Sequence, residues 1–380
     1  MNERVTTSSV VTGRTQALRK VAVRSPGAAA TGDACILGTA TAVPPFFWSQ
    51  QELKEHLLGR AVLDESRLRL ATAAFDRAAV ATRYAALPLL ELGISTPTIS
   101  SLNYRRHATA LGEEVAIRAM ADADVSAHAI DMIISVSCTG VMIPSIDAHL
   151  ANVLGCRADV RRLPLTELGC AGGAAALARA RDFLLGHPGG HVLVVAVELP
   201  SLSLQLADTS DDNIVSSALF GDGAAAVVLG PRHGPGLEII ETMSHLFPDS
   251  LGLLGLELRD DGFHSILRRE VVDVLRAGAR ELVDALVATR ALRRDDLSFF
   301  VLHTGGKTIL HCLEEELALE RHATQPSWDV LRRYGNQSSA SVLFVLHEWM
   351  TKRQPQPGAH GLLAAFGPGF SAEMMLLHGC

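Results

Sequence analysis

The chain has 380 residues, too many for one ordinary core and enough for two domains or one large duplicated fold. Its net charge of −7 advertises no basic surface for nucleic acid, and no apolar run reaches the length of a membrane span. Six cysteines without a C-x-x-C pair argue against a disulfide framework and for a reducing, cytoplasmic setting. The histidines are scattered without H-E-x-x-H or Cys/His spacing, so no metal site is expected.

Residues 1–33 are rich in Ser, Thr, Ala and Arg and lack periodicity. They read as a disordered extension, with a targeting segment as the minority reading. Order begins with an apolar strand at 34–38. Helical patterns follow over 50–58, 63–86 and 104–123, with a loop-like interruption over 88–101. A strand at 132–137 leads to Cys138-Thr139-Gly140, and 146–154 is helical. The segment Glu167-Leu168-Gly169-Cys170-Ala171-Gly172-Gly173 ends a strand-like approach and opens a helix over 174–185. A cysteine at a helix start sits among unpaired N–H groups, which favour a thiolate, and its small neighbours leave the sulfur approachable.

The run HVLVVAVE (191–198) is a strand buried on both faces, and 199–213 is loop-like. Phe220-Gly221-Asp222-Gly223 precedes a second buried strand over 224–229. The clearest break, PRHGPG at 231–236, divides the chain into halves 34–231 and 232–380. The second half repeats the rhythm: a strand at 237–241, a helix over 270–286, and a strand at 299–302 ending in His303-Thr304-Gly305-Gly306. A helix over 307–319, a polar turn at 334–339 carrying Asn336, a helix over 340–350 and a buried strand at 361–366 ending in Gly367-Pro368-Gly369 complete it. Alternating strands and helices in both halves mean an α/β fold.

Cys170, His303 and Asn336 all stand where a strand or turn gives way to a helix, the position at which ligands gather in open α/β sheets. A cysteine with a histidine makes an activated nucleophile, and an asparagine amide can donate to a developing oxyanion. Taken singly, each of these residue types is more often structural.

The motifs around them are more specific. ELGCAGGAAALARA, LFGDGAAAVVLG, LHTGGKTIL, YGNQSSASVLFVL and GLLAAFGPGFSAEM, in that order, resemble the type III polyketide synthases, the chalcone-synthase-like branch of the thiolase superfamily. SCTGVMIPS and the SLSLQ stretch look most like the bacterial members. The resemblance implies a five-layered αβαβα thiolase fold of two similar halves, a homodimer, and a catalytic Cys170-His303-Asn336 set. It also implies the chemistry. Cys170 takes an acyl group from a CoA starter, malonyl-CoA loses CO2, and the enolate attacks the acyl-Cys170 thioester. Iteration and cyclisation follow, with CoA thioesters as substrates and no metal or redox cofactor.

By the same resemblance Phe263 is a gate between the CoA tunnel and the cavity. Leu204 stands where relatives carry a second gate aromatic, so the passage is expected to lack that ring. Cys138 and Thr139 line the cavity, Ile143 is lent across the dimer, and Gly305 and the Gly367-Pro368-Gly369 loop form wall. Arg77, Arg83 and Lys307, with Lys54, are candidate contacts for the CoA phosphates. Rival readings are a β-ketoacyl-carrier-protein synthase III-like enzyme, whose histidine motif normally runs H-Q-A-N, and a non-catalytic acyl-CoA-binding protein. A dinucleotide-binding dehydrogenase is weaker, because no G-x-G-x-x-G follows a strand.

Overall fold

In the computed structural model the described residues are 34–380 apart from Ile94 and His233, so the tail expected over 1–33 lies outside them. The first half holds β1 (Cys35–Ala42), β2 (Phe46–Ser49), α1 (Gln50–Arg60), α2 (Glu65–Arg77), β3 (Thr82–Ala85), α3 (Pro97–Asp122), β4 (Met132–Val136) and α4 (Ile146–Val153). It continues with β5 (Arg161–Leu165), α5 (Gly172–Gly186), β6 (Val192–Glu198), α6 (Asp211–Leu219) and β7 (Gly223–Gly230). The second half holds β8 (Leu237–Leu246), β9 (Leu254–Arg259), β10 (Gly262–Leu267), α7 (Val271–Ala288), β11 (Leu297–Leu302) and α8 (Lys307–Leu317). It ends with α9 (Arg321–Tyr334), α10 (Ser341–Glu348), β12 (His360–Gly367) and β13 (Ser371–Gly379).

One pairing scheme occurs twice. In the first half β1 runs antiparallel to β7 and β7 to β6, while β6 and β5 flank β4 in parallel. In the second half β8 runs antiparallel to β13 and β13 to β12, while β12 is parallel to β11. The halves join through β1 and β8, where Cys35 faces Glu238 and Ile36 faces Leu237.

Strand alternation then sorts the core into layers. Val192, Val194 and Ala196 of β6 and Leu363 and Ala365 of β12 pack on α5 and α10, between the two halves of the sheet. Leu193, Val195 and Val197 face outward onto α3. Leu362 and Ala364 face outward onto α7, α8 and α9. Helix, sheet, helix, sheet, helix is the five-layered αβαβα arrangement. Strands buried on both faces need unbroken apolar sequence, which is why HVLVVAVE and GLLAAF read so plainly.

Several elements differ from the sequence reading. The helix expected over 63–86 stops at Arg77; Ala79 takes φ 61°, and Thr82–Ala85 then pairs with β2. The loop expected over 199–213 already contains the start of α6, capped by Ser210. Strand β5 is exposed and carries Pro164, features that hide an edge strand. Helix α9 contains Pro326, ordinarily a helix breaker, and the β9–β10 hairpin and β13 carry too little periodicity to be read.

Candidate active site

Cys170 lies in a short turn, Gly169–Ala171, that leads into α5, the central helix of the first half. Ser338–Ala340 forms the matching turn before α10, the central helix of the second half. The two turns meet because residues between them are small. A β-carbon at Gly173 would fall 2.2 Å from the backbone oxygen of Ser339, and one at Gly367 2.5 Å from that of Leu168. The duplicated helix starts thus bring residue 170 together with residues 336–339.

There the Cys170 thiol donates to Ser338 Oγ at 3.6 Å, and Asn336 Nδ2 lies 4.0 Å from the same sulfur. Ser338 Oγ is also 3.3 Å from Cys138 Sγ. Beneath Cys138 sits Glu198, fully buried at the end of β6. It accepts from the Cys138 N–H at 3.1 Å, from the Thr139 hydroxyl at 2.8 Å and from Ser339 Oγ. Burial raises the Glu198 carboxyl above its ordinary range, against these hydrogen bonds. Burial and the Glu198 charge likewise push the Cys138 thiol well up. The sequence carries a signal for Glu198 that the reading passed over: a carboxylate closing an otherwise apolar, doubly buried strand.

His303 stands at the end of β11, 2% exposed, and its Nδ1 makes no hydrogen bond among the described residues. Burial holds the imidazole down to about 3 and pushes the Cys170 thiol up to about 11. The environment therefore resists a lone charge of either sign.

Cys170 opens on a cavity of about 910 Å³, within the range of small-molecule sites. Of the residues expected to form it, Cys138, Thr139, Ile143, Leu204, Phe263 and Pro368 line it. His303, Asn336, Gly305, Gly367 and Gly369 stand outside that lining. Phe220, which the sequence analysis did not assign to the cavity, also lines it. Ile143 is 87% exposed at the cavity.

Among the basic candidates, Arg83 is corrected. It is 3% exposed, and its guanidinium donates to the carbonyls of Ser217, Ala218 and Phe220 at 2.6–2.8 Å and to Gln50. Burial lowers it to about 9. It braces the Phe220-Gly221-Asp222 turn, and its two terminal nitrogens are committed to these carbonyls and to Gln50 rather than to a phosphate. Asp222 in turn accepts from the backbone of Ser201 and Ala86 at 2.8 and 2.7 Å. Lys54 pairs with Asp76 at 2.6 Å. Arg77 and Lys307 make no ion pair among the described residues. One group with metal-ligand chemistry, Glu238, His378 and Cys380, gathers at the far end of β13 from the Gly367–Gly369 turn, outside this cavity.

The chalcone and stilbene synthase N-terminal domain matches residues 22–233, and the C-terminal domain of the same enzymes matches 238–380. The chain belongs to the chalcone and stilbene synthase family. It is a type III polyketide synthase, an acyltransferase of the condensing kind. It is 39% identical over 343 residues to the 1,3,6,8-tetrahydroxynaphthalene synthase of Streptomyces peucetius subsp. caesius, covering 89% of this chain and 91% of that one. It is 36% identical to the phloroglucinol synthase of Pseudomonas fluorescens, over 86% and 93% of the two chains. The crystal structure of 1,3,6,8-tetrahydroxynaphthalene synthase from Streptomyces coelicolor A3(2) superposes with a TM-score of 0.87 at 34% identity, over 91% and 99% of the two chains. Like these synthases, the chain has the thiolase-type αβαβα fold. No helix among the described residues is long and apolar enough to cross a membrane.

Proposed function

We propose that this synthase builds a polyhydroxylated aromatic product from malonyl-CoA, with Cys170 as the acyl carrier. The observation that carries the proposal is the placement of the Cys170 thiol at the wall of a 910 Å³ cavity with the Asn336 amide 4.0 Å away. Proton transfer to His303 frees the thiolate, which attacks the starter thioester and expels CoA as thiol. Malonyl-CoA then binds and loses CO2. The enolate oxygen so formed takes hydrogen bonds from Asn336 Nδ2 and the His303 ring, an oxyanion-hole arrangement. The enolate carbon attacks acyl-Cys170, the sulfur departs, and the lengthened chain stays on CoA for another round. Every step is acyl transfer or decarboxylation, so the amino acids and the CoA thioesters suffice.

The relatives' names support the product class. Hydroxyls at positions 1, 3, 6 and 8 of a naphthalene, like those of phloroglucinol, fall on alternate carbons, as a chain assembled from two-carbon units would leave them. Arg77 and Lys307 are the cations proposed for the CoA phosphates, and Ile143 is the residue lent to a second subunit in a homodimer. The lack of a disulfide among the described residues, together with CoA substrates, suits a cytoplasmic enzyme. Incubation with malonyl-CoA alone, without carrier protein, followed by mass analysis tests the reading. Release of an aromatic product is expected; strict dependence on an acyl carrier protein would overturn it in favour of a β-ketoacyl synthase.

A further inference from the structure

The β9–β10 hairpin forms part of the cavity wall. Phe263, Ser265, Ile266 and Leu267 of β10 line the cavity, whereas His264, between Phe263 and Ser265, does not. The His264 side chain is only 6% exposed and sits between two carboxylates: Nδ1 is 2.8 Å from Asp208 Oδ2, and Nε2 is 2.8 Å from Asp261 Oδ1. A neutral imidazole has one N–H and satisfies one of these acceptors; an imidazolium satisfies both.

Asp208 belongs to a different part of the chain, the segment between Leu204 and α6. That segment is tied in further. Asn213 Nδ2 donates to the carbonyls of Gln205 and Asp208 at 2.7 and 2.6 Å, and Gln205 Nε2 donates to the Asp261 carbonyl at 3.2 Å. The remaining charges facing this cluster are Arg259, 3.3 Å from His264 Nδ1 and paired with Glu257, and Arg268, paired with Asp212 at 3.3 Å. Burial works against the His264 charge, but the bonds to Asp208 and Asp261 outweigh it and raise its pKa above the ordinary imidazole value. Both carboxylates are lowered, Asp261 chiefly by its bond to His264, and Asp208, against burial, by its bonds from Ser210 and then from His264.

We propose that His264 is a positioning residue: as an imidazolium held by Asp208 and Asp261, it latches the hairpin carrying Phe263 onto the segment carrying Leu204. In doing so it sets the width of the cavity between them and thereby which acyl starters enter. The proposal rests on the reading of this cavity as the acyl site. Because the folded-state pKa is raised, the latch is fully closed below the ordinary imidazole pKa and opens as pH rises through the raised value.

Hydrogen exchange of residues 254–267, corrected for intrinsic exchange rates, reads the latch without any turnover. In the wild type, protection is expected to fall between pH 6 and pH 9. His264→Gln, which keeps one donor, is expected to exchange fast at both and to lose the pH step; Asp208→Asn is the second variant should the first fold poorly. Kinetically, His264→Gln is expected to raise starter KM by about fivefold or more, exceeding any fall in kcat, and to broaden the accepted acyl lengths. An unchanged hairpin protection and starter profile in both variants would overturn the latch. A wild-type enzyme that turns over no acyl-CoA but shows the pH step would instead overturn the reading of the cavity and leave the latch standing.

Discussion

The amide of Asn336 is fixed end for end by Ser338. Asn336 Oδ1 accepts the Ser338 backbone N–H at 2.8 Å and the Ser341 hydroxyl at 3.1 Å, so Nδ2 can point only toward Cys170. A donor held in place before the substrate arrives costs no reorganisation during reaction. Asn336→Asp keeps both acceptor bonds but replaces the donor with a carboxyl in a site that resists a lone charge. We expect malonyl-CoA decarboxylation to fall by about 10²–10³-fold, with a loss of thermal stability that grows as the pH rises and the new carboxyl ionises. Release of radiolabelled CO2 from malonyl-CoA, with a melting curve alongside, checks both halves.

The pairing of Cys170 with His303 is open to a chemical test. With the thiol raised by burial and the imidazole lowered by it, His303 supplies the only proton acceptor that the proposed mechanism gives this sulfur. In His303→Ala, alkylation of Cys170 by iodoacetamide at pH 7 should slow by at least about tenfold and climb steadily as the pH is raised. Equal alkylation rates in variant and wild type would separate the two residues. Cys170→Ala should carry no acyl group on intact-protein mass analysis.

The turn holding Cys170 leans on the Gly367–Gly369 loop. A β-carbon at Gly367 would stand 2.5 Å from Leu168 O and 2.7 Å from Ala171 N, both backbone atoms with little room to give. Gly367→Ala is therefore expected to destabilise the fold by about 1–3 kcal/mol and to slow acyl loading as the Cys170 turn shifts. An unchanged melting temperature with normal loading would show that the turn yields freely.

Asp222 gives a pH dependence whose sign is fixed. Burial raises its carboxyl from 3.8 to about 7, opposed by its bonds from Ser201 and Ala86 and by Arg83. Between those values the unfolded chain releases the proton while the folded chain keeps it, so this group's contribution to stability is full below pH 4 and is lost by pH 7. Asp222→Asn should be the less stable protein at pH 4, with the gap to wild type narrowing toward pH 8. Melting temperatures of both across that range decide it; a widening gap would reverse the assignment.

Ile143 tests the proposed dimer. A side chain 87% exposed at the rim of an apolar-walled cavity is suited to cover by a second copy. Ile143→Asp should shift the protein toward monomer in analytical ultracentrifugation, and an unchanged sedimentation coefficient would remove the residue from the interface.

What the sequence by itself determined was the set of elements buried on both faces and the residues at their ends. Apolar runs such as VLVVAVE and GLLAAF have one physical use in a molecule of this size, and Cys170, His303 and Asn336 stand in motifs specific enough to name a family. Three matters were decided only by tertiary structure. Arg83 reads as a free cation in sequence, and only the fold shows its guanidinium spent on the carbonyls of 217–220. Phe220 reads as part of a turn motif, and only the fold turns it to the cavity. Ser338, Glu198 and Cys138 lie far apart along the chain and become one hydrogen-bonded group because two duplicated helix starts pack against each other. Local sequence dictates where a strand or a helix begins. Burial, and therefore charge and reactivity, depends on what a distant segment brings to the same place.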